Sequence, residues 1–104
     1  MKSRLLTARP QRKQRVLKQE AEGTVVLLDV DSGRYYALDE VGGRVWDLCD
    51  GRRTVAEIAA TIGEEYVAAA ETIQRDLGDL LRELADESLL QDNTPAMASD
   101  PGGL

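Results

Sequence analysis

Between Arg15 and Leu38 the hydrophobic positions fall in short runs broken by turn residues, and from Asp39 onward they recur at helical spacing. The first regime predicts strands. R-V-L-K-Q-E, Arg15 to Glu20, is a short strand ended by the turn-like A-E-G around Gly23. T-V-V-L-L-D-V, Thr24 to Val30, is rich in β-branched and aliphatic residues, and D-S-G at 31–33 supplies hairpin turn chemistry before R-Y-Y-A-L returns as the partner. The last of these strands is a candidate edge, with unpaired backbone donors and acceptors.

In the second regime Val41, Val45, Leu48 and Cys49 share one helical face, with Asp39 placed as N-cap, Trp46 at the margin of that face and Asp50-Gly51 as the stop. Gly42 and Gly43 each cost roughly 1 kcal/mol of helix propensity relative to alanine, so packing must hold this helix or the glycines must permit close approach. T-V-A-E opens the next helix: Thr54 and Glu57 form a capping box, and Val55, Ile58, Ala59 and Ile62 give it an apolar face. Gly63 either ends this helix or lies within it, since E-E-Y is compatible with one more turn. A third helix runs from about Ala69 to Asp86, with Ile73, Leu77, Leu80, Leu81 and Leu84 along one face. Leu89 and Leu90 fold back to close the core. The predicted class is α+β: a three-stranded antiparallel meander followed by three helices, winged-helix-like in outline. Residues 1–10 read as a flexible basic arm, 11–90 as the folded domain and 91–104 as a disordered tail.

The chain has 104 residues, enough for one modest domain. No apolar run approaches the ~20 residues of a membrane span, and no apolar stretch follows the basic N-terminus as in a secretory signal, which predicts a cytoplasmic protein without membrane contact. Net charge is −6, yet residues 1–19 hold seven of the thirteen basic residues and no acid. That segment can attract nucleic acid, an acidic partner, or the acidic body of its own chain, the last being the simplest reading. Histidine is absent and there is a single cysteine, which removes the commonest catalytic base and the usual zinc ligand sets. Cys49 lies on an apolar helix face, where a buried structural thiol is favoured over a nucleophile. The carboxylates Asp29, Asp31, Asp39 and Glu40 lack the spacing of a calcium loop, and turn and cap roles explain them. A winged-helix DNA reader needs a basic recognition helix, whereas Arg75 and Arg82 share their face with Glu71, Asp76, Asp79 and Glu83. Duplex DNA would be repelled.

G-R-Y-Y-A-L-D-E-V-G-G-R-V-W-D-L-C-D-G at 33–51, T-V-A-E-I-A at 54–59 and R-D-L-x-x-L-L-x-E-L at 75–84 followed by S-L-L together resemble the PqqD family, also called the RiPP precursor-peptide recognition element. The resemblance spans about Thr24 to Leu90 and is most like the small stand-alone members of lasso-peptide gene clusters. E-E-Y-V-A-A-A before the last helix, where a Gly or Pro break is common, and Ser88, where family members often carry glycine, depart from the pattern.

The resemblance implies a peptide chaperone, not an enzyme, needing no cofactor. Such a protein binds the leader of a ribosomally made precursor peptide and presents it to a processing enzyme, a leader peptidase or a radical SAM protein. It implies a pairing strand of Arg34, Tyr35, Tyr36, Ala37 and Leu38, and a groove wall of Ile73, Gln74, Leu77 and Leu81 with Asp76 as a polar contact. An extended peptide can add to an exposed edge by main-chain hydrogen bonds while pockets select its side chains. Periodicity alone gives Ile73, Leu77 and Leu81 core roles, and strand alternation turns only one of the two tyrosines toward the helices. A homodimer through the same edge and a winged-helix-like regulator of nucleic acid are the alternatives.

Overall fold

The computed structural model describes residues 6–91; the first five residues of the expected arm and residues 92–104 of the expected tail lie outside the described residues. Three strands, β1 (Val16–Ala21), β2 (Thr24–Asp29) and β3 (Tyr35–Asp39), precede three helices, α1 (Glu40–Leu48), α2 (Val55–Glu65) and α3 (Ala70–Asp86). The strands form one antiparallel sheet in the order β1-β2-β3, so β1 and β3 are its edges. This is the α+β meander-then-helices order that the hydrophobic pattern predicts.

The first hairpin turns through Glu22 and Gly23, both at positive φ, the geometry whose twist matches that of the strands it joins. On β2 the period of two buries Val25, Leu27 and Asp29. On β3 it directs Tyr36 and Leu38 inward and leaves Tyr35 on the outer face, 76 % exposed. The helices cover the inner face, where Val25, Leu27 and Leu38 join residues of all three helices and Leu89 and Leu90 in one core. Closing the sheet onto α1 requires Gly43: a Cβ there would stand 2.5 Å from Val25 Cγ2. Its poor helix propensity is therefore offset by the close approach it allows.

Asp39 caps α1 by accepting from the Gly42 N–H at 2.7 Å, and Thr54 and Glu57 form the reciprocal capping box of α2. Gly63 lies inside α2, which runs to Glu65 before Tyr66 leaves in an extended conformation. Trp46, expected at the margin of its helix, is 3 % exposed and belongs to the core. The end of α3 is a Schellman turn: the Ser88 N–H reaches Ala85 O, the Leu89 N–H reaches Leu84 O, and Ser88 takes φ 62. Glycine suits that conformation better than serine does.

Residues 6–10, read from the sequence as part of a flexible arm, are fastened to the body. Pro10 is buried, its carbonyl accepts from Gly51, and Ala8 O accepts from Val55. Residues 11–13 thread between the end of α1 and the C-terminal segment, with Arg12 N–H bonded to Cys49 O and Lys13 N–H to Leu89 O. The basic side chains that follow pair with the chain's own acids: Lys13 with Asp29 at 2.8 Å, Arg15 with Asp31 at 2.8 Å and Lys18 with Asp47 at 2.9 Å. Arg12 donates to the carbonyls of Trp46 and Asp47 at the end of α1. Within the described residues, then, Lys13, Arg15 and Lys18 of the basic segment pair with acids of the chain's own body. Among those residues no helix is long and apolar enough to cross a membrane.

Candidate functional site

The register of the sheet decides which backbone groups are free. Asp29 N–H donates to Arg34 O at 2.9 Å, which makes that pair a hydrogen-bonded one, and the β2–β3 register continues unbroken from it. Antiparallel strands alternate, so the Arg34 carbonyl and the main-chain groups of Tyr36 and Leu38 face β2, while the Arg34 N–H donates to Ser32 Oγ. Tyr35 and Ala37 direct theirs away, to the open edge.

Beside that edge lies a groove of about 670 Å³ between β3 and α3. Its strand side is Tyr36, Ala37, Leu38 and Asp39, and its helix side includes Thr72, Ile73, Asp76, Leu77, Asp79, Leu80 and Glu83. The floor is the outer surface of core residues: Val45 from α1, Ile62 from α2, Ile73 and Leu77. Tyr66, Val67 and Ala68, the linker between α2 and α3, close one end. Val67 is fully exposed there.

Two side-chain bonds tie the start of β3 to the last turns of α3. The Tyr36 hydroxyl donates to Glu83 Oε1 at 2.5 Å, and Arg34 Nη2 donates to Glu87 Oε1 at 3.2 Å. The Glu83 carboxylate, as acceptor and as neighbouring negative charge, disfavours the phenolate and pushes the Tyr36 phenol up to about 12. Tyr36 is thus the inward tyrosine and a fixed donor at neutral pH, while Tyr35 is on the solvent face.

Of the ten residues named from the sequence, Tyr36, Ala37, Leu38, Ile73, Asp76 and Leu77 come together along the groove. Arg34 and Tyr35 stand beyond its end, along a smaller depression that includes Ser32, Asp86 and Glu87. Gln74 is exposed but does not line the groove, and Leu81 is fully buried in the core, turned away from the groove that Leu80 and Glu83 of the same helix line. Sequence reasoning missed the α1 and linker residues Val41, Val45, Tyr66 and Val67 and the wall residues Asp79 and Glu83. The run E-E-Y-V-A-A-A was the available signal, because an apolar Val-Ala-Ala following a helix end has no helical face of its own to pack.

Cys49 is fully buried, and burial pushes its thiol up to about 12, so the thiolate needed for nucleophilic chemistry is strongly disfavoured. Among the described residues no group of His, Cys, Asp and Glu is arranged to hold a metal ion.

A winged-helix-like α+β domain with an open strand edge beside an apolar groove has the form of a module that receives an extended peptide. The profile of the family described as coenzyme PQQ synthesis protein D (PqqD) matches residues 24–90, and the chain belongs to that family. Curated relatives include the PqqA binding proteins of Bradyrhizobium diazoefficiens, 35% identical over 57 residues, and of Rhodopseudomonas palustris strain TIE-1, 39% identical over 57 residues. The matched segment is 55% of this chain in both cases, and 55% and 56% of the relatives, so the chain spans little more than half the length of the curated relatives it matches. Among solved structures, TbiB1 in complex with the TbiA(beta) leader peptide is 37% identical with a TM-score of 0.68, over 78% of this chain and 94% of that one. A lasso peptide synthetase B1 complexed with the leader peptide, 20% identical, shares the fold with a TM-score of 0.69 over 81% of this chain and 99% of that one.

Proposed function

We propose that this protein binds the leader of a ribosomally made precursor peptide as a fourth strand on the open edge of β3 and presents it to a processing enzyme. The carrying observation is the edge itself: the main-chain groups of Tyr35 and Ala37 face outward beside a groove floored by Val45, Ile62, Ile73 and Leu77. A peptide pairing there would place alternate side chains opposite Tyr36 and Leu38, over the groove, and the others on the outer face with Tyr35. The names of the curated relatives and the leader peptide bound to TbiB1 favour the same reading. The protein supplies binding energy and orientation and no bond-making group. Its enzyme partner is a leader peptidase or a radical SAM protein, and the encounter takes place in the cytoplasm, where precursor and enzyme are made.

Amide-shift mapping of the full chain tests the proposal, with the precursor peptide from its own gene neighbourhood in one titration and duplex DNA in another. Shifts confined to residues 34–38, the linker at 66–68 and the groove face of α3 on peptide addition are expected. Binding of DNA without binding of peptide sinks it and favours a winged-helix regulator. Shifts at the β3 edge that depend on protein concentration alone would assign the edge to a second copy.

A further inference from the structure

The groove has one sign of charge. Among its lining residues are four carboxylates, Asp39, Asp76, Asp79 and Glu83, and no lysine or arginine. Asp39 accepts from the Gly42 N–H and Glu83 from the Tyr36 hydroxyl. The other two stand on successive turns of α3, and their cationic neighbours are exposed arginines of the same helix, Arg75 at 3.8 Å from Asp76 and Arg82 at 3.3 Å from Asp79. Such exposed pairs are held weakly and yield readily to another cation. The chain's basic side chains at 12–18, in contrast, are committed to partners elsewhere on the body.

We infer that the groove selects an extended peptide segment in which lysine or arginine accompanies the apolar residues that meet the floor, with Asp76 and Asp79 as the residues that choose it. This rests on the strand-addition reading above. An alternating strand brings a side chain over the groove every second residue, so apolar anchors and a cation can occupy successive inward positions. Long basic side chains suit the place: the methylene stem lies on the apolar floor and the charged end reaches the helix wall. An acidic segment would meet four like charges along the groove and be rejected, which is selection by repulsion as much as by attraction.

The test is selection of random peptides of about twelve residues, displayed on phage, against the full chain, its Ala37→Pro variant, and a variant carrying Asp76→Asn and Asp79→Asn. Both aspartates are well exposed, so the double substitution leaves the core untouched. Peptides that need the Ala37 edge are expected to be rich in Lys and Arg and poor in Asp and Glu. Their affinity should fall about fivefold on neutralising the two aspartates, since one ion pair at contact distance in water is worth about fivefold, and should weaken as NaCl is raised from about 50 to 500 mM. Edge-dependent binders with no excess of basic residues, or with unchanged affinity for the neutralised variant, would overturn the charge inference and leave strand addition standing. A selection without edge-dependent binders overturns strand addition, and the inference with it.

Discussion

Replacing Ala37 by proline removes one backbone donor on the face where strand addition needs it. The ladder bonds of β3 come from the Arg34 carbonyl and from Tyr36 and Leu38, so the Ala37 N–H makes none of them, and proline is tolerated on the free side of an edge strand. The fold should therefore survive, which circular dichroism and a cooperative melt would verify. Peptide binding should not. One lost main-chain bond is worth about 1 kcal/mol, and the peptide carbonyl left without a donor about 1–2 kcal/mol more. Together they amount to about 2–3 kcal/mol, a rise in Kd of roughly 30- to 150-fold by fluorescence anisotropy of a labelled precursor peptide. Leu38→Pro is the matched control, because that N–H faces β2 and its loss should lower Tm directly. A folded Ala37→Pro protein with unchanged affinity would refute the register, and with it the assignment of this edge as the peptide's partner.

Gly43→Ala should destabilise the protein by about 1–3 kcal/mol in urea unfolding despite alanine's better helix propensity, because the new methyl meets Val25; a gain in stability would show that α1 can shift away from the sheet. Ser88→Gly should raise Tm by a few degrees, since relief of a left-handed φ, about 1 kcal/mol, outweighs the added freedom of the unfolded chain. The Asp29 carboxyl is held below its ordinary 3.8 chiefly by the Lys13 hydrogen bond, so its stabilisation is complete above that value and is lost as pH falls through the lowered native value. The Lys13 ammonium is raised above its ordinary 10.5 by the same bond, and its share is present below that pH and lost only as pH rises through the raised value. Tm should thus drop on acidification below about pH 4 more steeply in the native protein than in Lys13→Met, and parallel curves would show that the pair contributes nothing.

Element order and type were legible because each element carries its own local signal: β-branched runs around turn residues for the strands, and a 3.6-residue period with caps at Asp39 and Thr54 for the helices. The site was legible only in part. Ile73, Leu77 and Leu81 look alike in a helical pattern, yet the first two reach the groove and the third is fully enclosed, a difference of angle around the helix that depends on what packs against it. Similarly, the basic count at the N-terminus was plain, but not that residues 6–10 would be anchored through Pro10 and the carbonyl of Ala8.

By itself the sequence determined a strand reaching Leu38 and a helix capped at Asp39. Those are consequences of local propensity and composition, which need no knowledge of the neighbours. Which tyrosine turns inward, which N–H groups are left open and which carboxylates face the groove were decided by tertiary structure. Each follows from the register of β3 on β2 and the rotation of α3 about its axis, and both are set by burial of Leu27, Leu38, Leu81 and Leu84 in one core. The two adjacent tyrosines illustrate the division: pairing Tyr36 opposite Leu27 sends its hydroxyl to Glu83 and leaves Tyr35 in water.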